Sequence, residues 1–87
     1  MYKYLVSLGI YPEYEGYKYI KYAVENKIRS LGELHKHFPD VSYSRIDRNI
    51  RYIIQQQYDK MSHIVPRPTI SSLLSNLIED YYGGNYE

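Results

Sequence analysis

Residues 42–57 read SYSRIDRNIRYIIQQQ. Arginines recur at every third position, as Arg45, Arg48 and Arg51, and isoleucines stand at 46, 50, 53 and 54. On a helix turning about 100° per residue, with Arg45 at zero, Arg48 falls at about −60° and Arg51 at about −120°. Tyr52 and Gln55 fall on the same side, at about −20° and about −80°. Ile46, Ile50 and Ile53 fall opposite, at about 100°, about 140° and about 80°. The stretch therefore reads as an amphipathic helix over about Ser44 to Tyr58. Its isoleucines face a core, and Ser44, Arg45, Arg48, Arg51, Tyr52 and Gln55 face outward. Ser44 and Asp47 have the Ser-x-x-acid spacing of a capping box, so the helix is expected to open at Ser44.

The rest of the chain reads as further helices and no convincing strand, giving an all-α domain of about five helices. Tyr2 to Leu8 forms the first, closed by Gly9. Pro12 and Glu13 open a second, running to about Lys27, because proline is tolerated in a first helical turn. Tyr17, Ile20, Ala23, Val24 and Ile28 would face the core there, with Lys18, Lys21, Tyr22 and Glu25 on other faces. Glu13 and Glu15 would sit near the positive end of that helix dipole. A short third segment spans Leu31 to Phe38 and stops at Pro39. The turn PDVSYS, residues 39–44, separates it from the arginine-bearing helix, and the order short helix, polar turn, longer helix is that of a helix-turn-helix. MSHIVPRP, residues 61–68, reads as a linker. Thr69 opens a last helix, 69–82, with Ile70, Leu73, Leu74, Leu77 and Ile78 on one face. Residues 1–82 are expected to form the single domain, with 83–87 a flexible tail.

Composition narrows the function classes. A chain of 87 residues buries only a thin core. It has no cysteine, which excludes disulfides and thiolate metal sites and agrees with a cytoplasmic location. No apolar run is long enough to span a bilayer, and the apolar patch at the N-terminus is too short for a signal peptide. His35 and His37 are two apart and point to different helix faces, so a metal site is not expected. They would touch phosphate beside Lys36 or sit on the surface without a role. No serine lies in a nucleophile motif and no glycine-rich phosphate loop occurs, so neither an enzyme, a cofactor nor a small-molecule substrate is expected. The 13 tyrosines are spread too evenly to form one site, which favours half-buried rings with wet hydroxyls.

The outward face carries the functional reading. Arginine donates two hydrogen bonds to guanine O6 and N7, and glutamine pairs with adenine, each worth about 1–3 kcal/mol of discrimination. Between Ser44 and Tyr58 three basic residues stand against one acidic residue, a local excess of +2 on a chain whose net charge is only +1. Double-stranded DNA is therefore the expected partner. Arg45 and Arg48 are assigned to bases, and Arg51, Tyr52 and Lys36 to phosphate or supporting contacts. Lys18 and Lys21 would add backbone charge. Asp47 would cap the helix, accept from a cytosine amino group or orient an arginine. The apolar helix 69–82 would close the core, and any surplus would form a homodimer face. The rival reading is a protein-binding module, such as a mobile-element inhibitor, favoured by the tyrosines and the near-neutral charge.

Three blocks give the chain a family likeness: LGIYPEYEGYKYIKYAV, SRIDRNIRYII and RPTISSLLSNLI. Together they resemble the C-terminal DNA-binding domain of the sporulation-initiation response regulator family of spore-forming bacteria. The resemblance implies an all-helical fold with a helix-turn-helix and a recognition helix that reads a GTCGAA-like core. It also implies tandem binding as dimers. Arg45, Asp47, Arg48 and Arg51 match charged positions of that helix, and Tyr52 stands where the family often has a histidine. These residues contain no receiver domain, so control by aspartyl phosphorylation is not expected within them. The links on either side of the 31–58 region are shorter than the family's, where they carry dimer and polymerase contacts. A small stand-alone repressor or a mobile-element protein is expected equally.

Overall fold

A computed structural model describes residues 1–85. The fold is all-helical: α1 Tyr2–Ser7, α2 Tyr17–Glu25, α3 Leu31–His35, α4 Tyr43–Met61 and α5 Ile70–Asp80, followed by a π-helical turn at Tyr81–Asn85. Of the expected tail, residues 83–85 continue this coil, and 86–87 lie outside the described residues. Every helix contributes to one apolar cluster, and among the described residues no polar or charged residue is fully buried. No helix is long and apolar enough to cross a membrane.

α4 is the axis of this cluster. Ile46, Ile50 and Ile53 are fully buried and Ile54 nearly so, as the periodicity requires. The helix begins earlier and ends later than its spacing predicts. Ser42, in extended backbone, accepts the Arg45 amide at 3.1 Å and is the N-cap. Ser44 lies inside the first turn, and Asp47 pairs with Arg51 instead of closing a capping box. At the far end Met61 belongs to α4 and is fully buried. The stretch 61–68 is thus an exposed connection anchored at two points: Met61 and Val65 are buried, and Tyr58 donates to the Val65 carbonyl at 2.8 Å.

Two helices end in the same way. After α1, Gly9 adopts φ 81°, its amide reaches Val6 and the Ile10 amide reaches Leu5, a Schellman closure. After α2, Lys27 takes the left-handed position at φ 56°, with Lys27 bonded to Val24 and Ile28 to Ala23. This αL lysine ends α2 before the expected boundary. α2 also starts later, at Tyr17, because residues 11–17 form successive turns, Tyr14 to Tyr11 and Tyr17 to Tyr14. Tyr19, not Tyr17, is the tyrosine that α2 buries. α3 stops at His35 because the amides of Lys36, His37 and Phe38 tighten into bonds with the third residue back, ahead of Pro39.

α5 is capped by Thr69, whose hydroxyl accepts the Ser72 amide at 3.2 Å. Ile70, Leu73, Leu74, Leu77 and Ile78 are all buried in the chain's own core. Tyr4 of α1 joins the two ends by donating to Asp80 Oδ2 at 2.8 Å.

The two candidate caps of α4 separate in a stability measurement. Ser42→Ala removes the oxygen that holds the Arg45 amide and is expected to cost about 1 kcal/mol. Ser44→Ala is expected to stay within about 0.5 kcal/mol of wild type. Urea denaturation followed by circular dichroism reads both. Equal losses would contradict the Ser42 cap.

Candidate nucleic-acid interface

The face that α4 turns away from the core holds Ser44, Arg45, Arg48, Arg51, Tyr52 and Gln55, all exposed. One row of the helix supplies them because the isoleucine row is fixed inward. The three guanidinium groups are in different states. Arg51 Nε donates to both Asp47 oxygens, at 3.1 and 2.9 Å, one turn along the helix. That bond engages the Nε of the guanidinium. Arg45 Nη2 stands 3.6 Å from Glu15 Oε2, across the gap to the segment before α2. Arg48 makes no ion pair among the described residues.

Glu13 and Glu15 lie just ahead of the α2 N-cap Gly16 and also line this face. The first turn of α2 has no acidic residue, and the segment carrying both carboxylates lies along α4. A cavity of about 390 Å³ separates them, lined by Glu13, Tyr14, Glu15, Arg48, Asn49 and Tyr52. Three anchors hold the segment. The Tyr14 ring meets the Tyr52 ring edge-on, with centroids 5.9 Å apart. The Tyr14 hydroxyl accepts from Gln57 Nε2 at 2.7 Å, and the Tyr11 hydroxyl accepts from Lys60 Nζ at 2.8 Å. Gly16, the N-cap of α2, packs so closely that an added Cβ would lie 2.7 Å from the Asn49 carbonyl oxygen and 2.9 Å from Ile53 Cδ1. The amide nitrogen of Asn49 is buried without a hydrogen-bond partner among the described residues.

The connection between α3 and α4, residues 36–42, is longer than the three-to-four-residue turn of a helix-turn-helix. It is nonetheless pinned. His35 Nε2 donates to the Val41 carbonyl at 2.9 Å, and His37 Nδ1 and the Tyr22 hydroxyl lie 3.0 Å apart. His35 thus holds the turn, a role its place beside Lys36 does not reveal. Lys36 caps the end of α3 and pairs with Glu33 at 3.2 Å. No hydrogen bond or ion pair joins Lys36 to the α4 face among the described residues. Lys18 lies over the Tyr19 ring at 5.3 Å, and Lys21 pairs with Glu25 at 3.1 Å. Gln55 lines a second groove beside α4, with Arg51, Ile54, Tyr58 and Pro68.

No protein-family model, curated protein or solved structure matches the chain. Guanidinium groups, an amide and a tyrosine on one exposed helical row form a donor array wide enough for base edges or phosphate. The carboxylates of Glu13, Glu15 and Asp47 offset much of its charge.

The contact at Gly16 gives a direct test of how the acidic segment is held. Gly16→Ala sets a methyl group against backbone that cannot swing aside, and is expected to cost about 1–3 kcal/mol. Gly32→Ala, whose added Cβ meets nothing within 4 Å, is expected to be neutral or stabilising by up to about 1 kcal/mol. Thermal and urea denaturation of both variants check the order.

Proposed function

We propose that this chain is a binding protein for double-stranded DNA that inserts α4 into the major groove and regulates transcription in a bacterial or phage-infected cytoplasm. The observation that carries the reading is the exposed row Arg45, Arg48, Arg51, Tyr52 and Gln55 standing back to back with a fully buried isoleucine row. α3 and its pinned connection would serve as the supporting half of a helix-turn-helix. The likeness of SRIDRNIRYII to the sporulation-regulator recognition helix supports the same use. Arg48, with no ion pair among the described residues, is the first choice for a guanine edge, and Arg45 the second. Arg51, steadied by Asp47, suits a phosphate.

Non-specific affinity is expected to be modest, because two of the three arginines already face carboxylates and the net charge is +1. A homodimer through α5 would have to use the polar side of that helix, at Ser71, Ser75 and Glu79, since its apolar row is buried. Sedimentation at high protein concentration tests this, and a strictly monomeric species would remove it.

A protein partner is the second reading. Exposed Tyr43 and Tyr52 beside neutralised arginines make a mixed surface of the kind protein interfaces favour. Fluorescence anisotropy separates the two readings, using duplexes with and without a GTCGAA-like box across a salt series. The box is expected to bind tighter. Arg48→Ala is expected to lose about 1–3 kcal/mol on the box and to erase the preference. Absence of binding to either duplex at low salt would overturn the DNA reading and leave the protein-partner one.

A further inference from the structure

We infer that Glu15 is a specificity-determining residue of the α4 face, a carboxylate on an anchored segment that weakens binding to the wrong DNA more than to the right DNA. The inference rests on the DNA reading of α4 and deepens it. Its first support is position. Glu15 Oε2 stands 3.6 Å from Arg45 Nη2, at the end of the helix that enters the groove first. Both side chains are more than half exposed, so an arriving phosphate displaces the pair readily.

Its second support is that the backbone carrying the carboxylate is anchored beside α4. The segment carrying it is held on one side by Tyr14, against Tyr52 and Gln57, and on the other by Gly16, against the Asn49 carbonyl. Glu13 lines the same cavity and adds charge of the same sign, while Arg45 and Arg48 are the cations that face it. When Arg45 leaves for DNA, Glu15 stays at the lip of the interface.

The two kinds of complex meet this carboxylate differently. Non-specific association is carried by phosphate electrostatics, so a negative charge that occupies an arginine and repels phosphate acts on it in full. In a base-reading complex Arg45 turns to guanine O6 and N7, and the carboxylate faces a groove in which cytosine amino groups are donors. Repulsion is then offset by an acceptor placed where donors lie.

The test compares wild type, Glu15→Gln and Asp59→Asn on the box duplex and on a scrambled duplex of equal composition, across a salt series. Asp59 is exposed on the same helix, about 21 Å further along, so its substitution makes the same charge change away from the lip. Circular dichroism melts confirm that each variant folds. Glu15→Gln is expected to tighten the scrambled duplex about 2- to 5-fold, the box duplex less, and so to lower the ratio between them. Its salt slope on the scrambled duplex should steepen by up to about 0.9, the value of one phosphate contact. Should Glu15→Gln shift both duplexes by the same factor as Asp59→Asn while wild type still prefers the box, the inference falls and the DNA reading stands. Should wild type bind neither duplex, both fall together.

Discussion

Burial of the α4 isoleucine stripe is the constraint on which the other features depend. Each fully buried isoleucine contributes about 1.5–3 kcal/mol. An exposed ion pair such as Arg45 with Glu15 contributes about 0.2–1 kcal/mol. The difference decides which row of α4 faces inward, and the arginines are exposed as a consequence. With Ile46, Ile50 and Ile53 docked, α2 must approach α4 closely enough that only glycine fits at position 16. That approach in turn lays the Tyr11–Gly16 segment along the arginine row. The polar face is thus assembled by apolar packing, and its ion pairs adjust what the packing has placed.

The outward row was legible because a helical period of 3.6 sorts residues without reference to the rest of the molecule. The helix ends were less so. Ser42 and Ser44 are both chemically fit to cap α4, and the choice between them follows from the His35 bond to Val41, which leaves Ser42 in extended backbone. Met61 and Val65 were hidden in a proline-containing stretch whose packing depends on the Tyr58 hydroxyl. Glu13 and Glu15 were the larger miss. Beside Pro12 they read locally as the acidic start of a helix, and the partner that gives Glu15 its meaning, Arg45, lies far along the chain. Lys36 was the opposite case, promising beside the turn but answered within its own helix by Glu33.

The tyrosines show how so small a chain stays closed. Tyr4 and Tyr19 are buried; Tyr14, Tyr22 and Tyr58 keep a ring against the core and a hydroxyl at its edge, and Tyr11 stacks on Tyr14 outside it. The hydroxyls of Tyr11, Tyr14, Tyr22 and Tyr58 bond Lys60, Gln57, His37 and the Val65 carbonyl, three of them across distant segments and the last between the end of α4 and the stretch that follows it. A phenylalanine in any of these places would keep the ring and lose the directional tie. Tyrosine supplies apolar area and a hydrogen bond in one residue, which suits a domain with little interior to share.

The bond from Tyr4 to Asp80 has a consequence for how the molecule is made. It joins the first helix to the last, and the Tyr81 ring lies 5.0 Å from the Tyr4 ring at the same junction. During synthesis α1 leaves the ribosome well before these partners exist. α3 and α4, which pack together, can meet early, since they are neighbours in the chain. Closing the ends carries the largest loop entropy and comes after it. A nascent chain stalled before Thr69 would therefore present a greasy seam to chaperones and proteases.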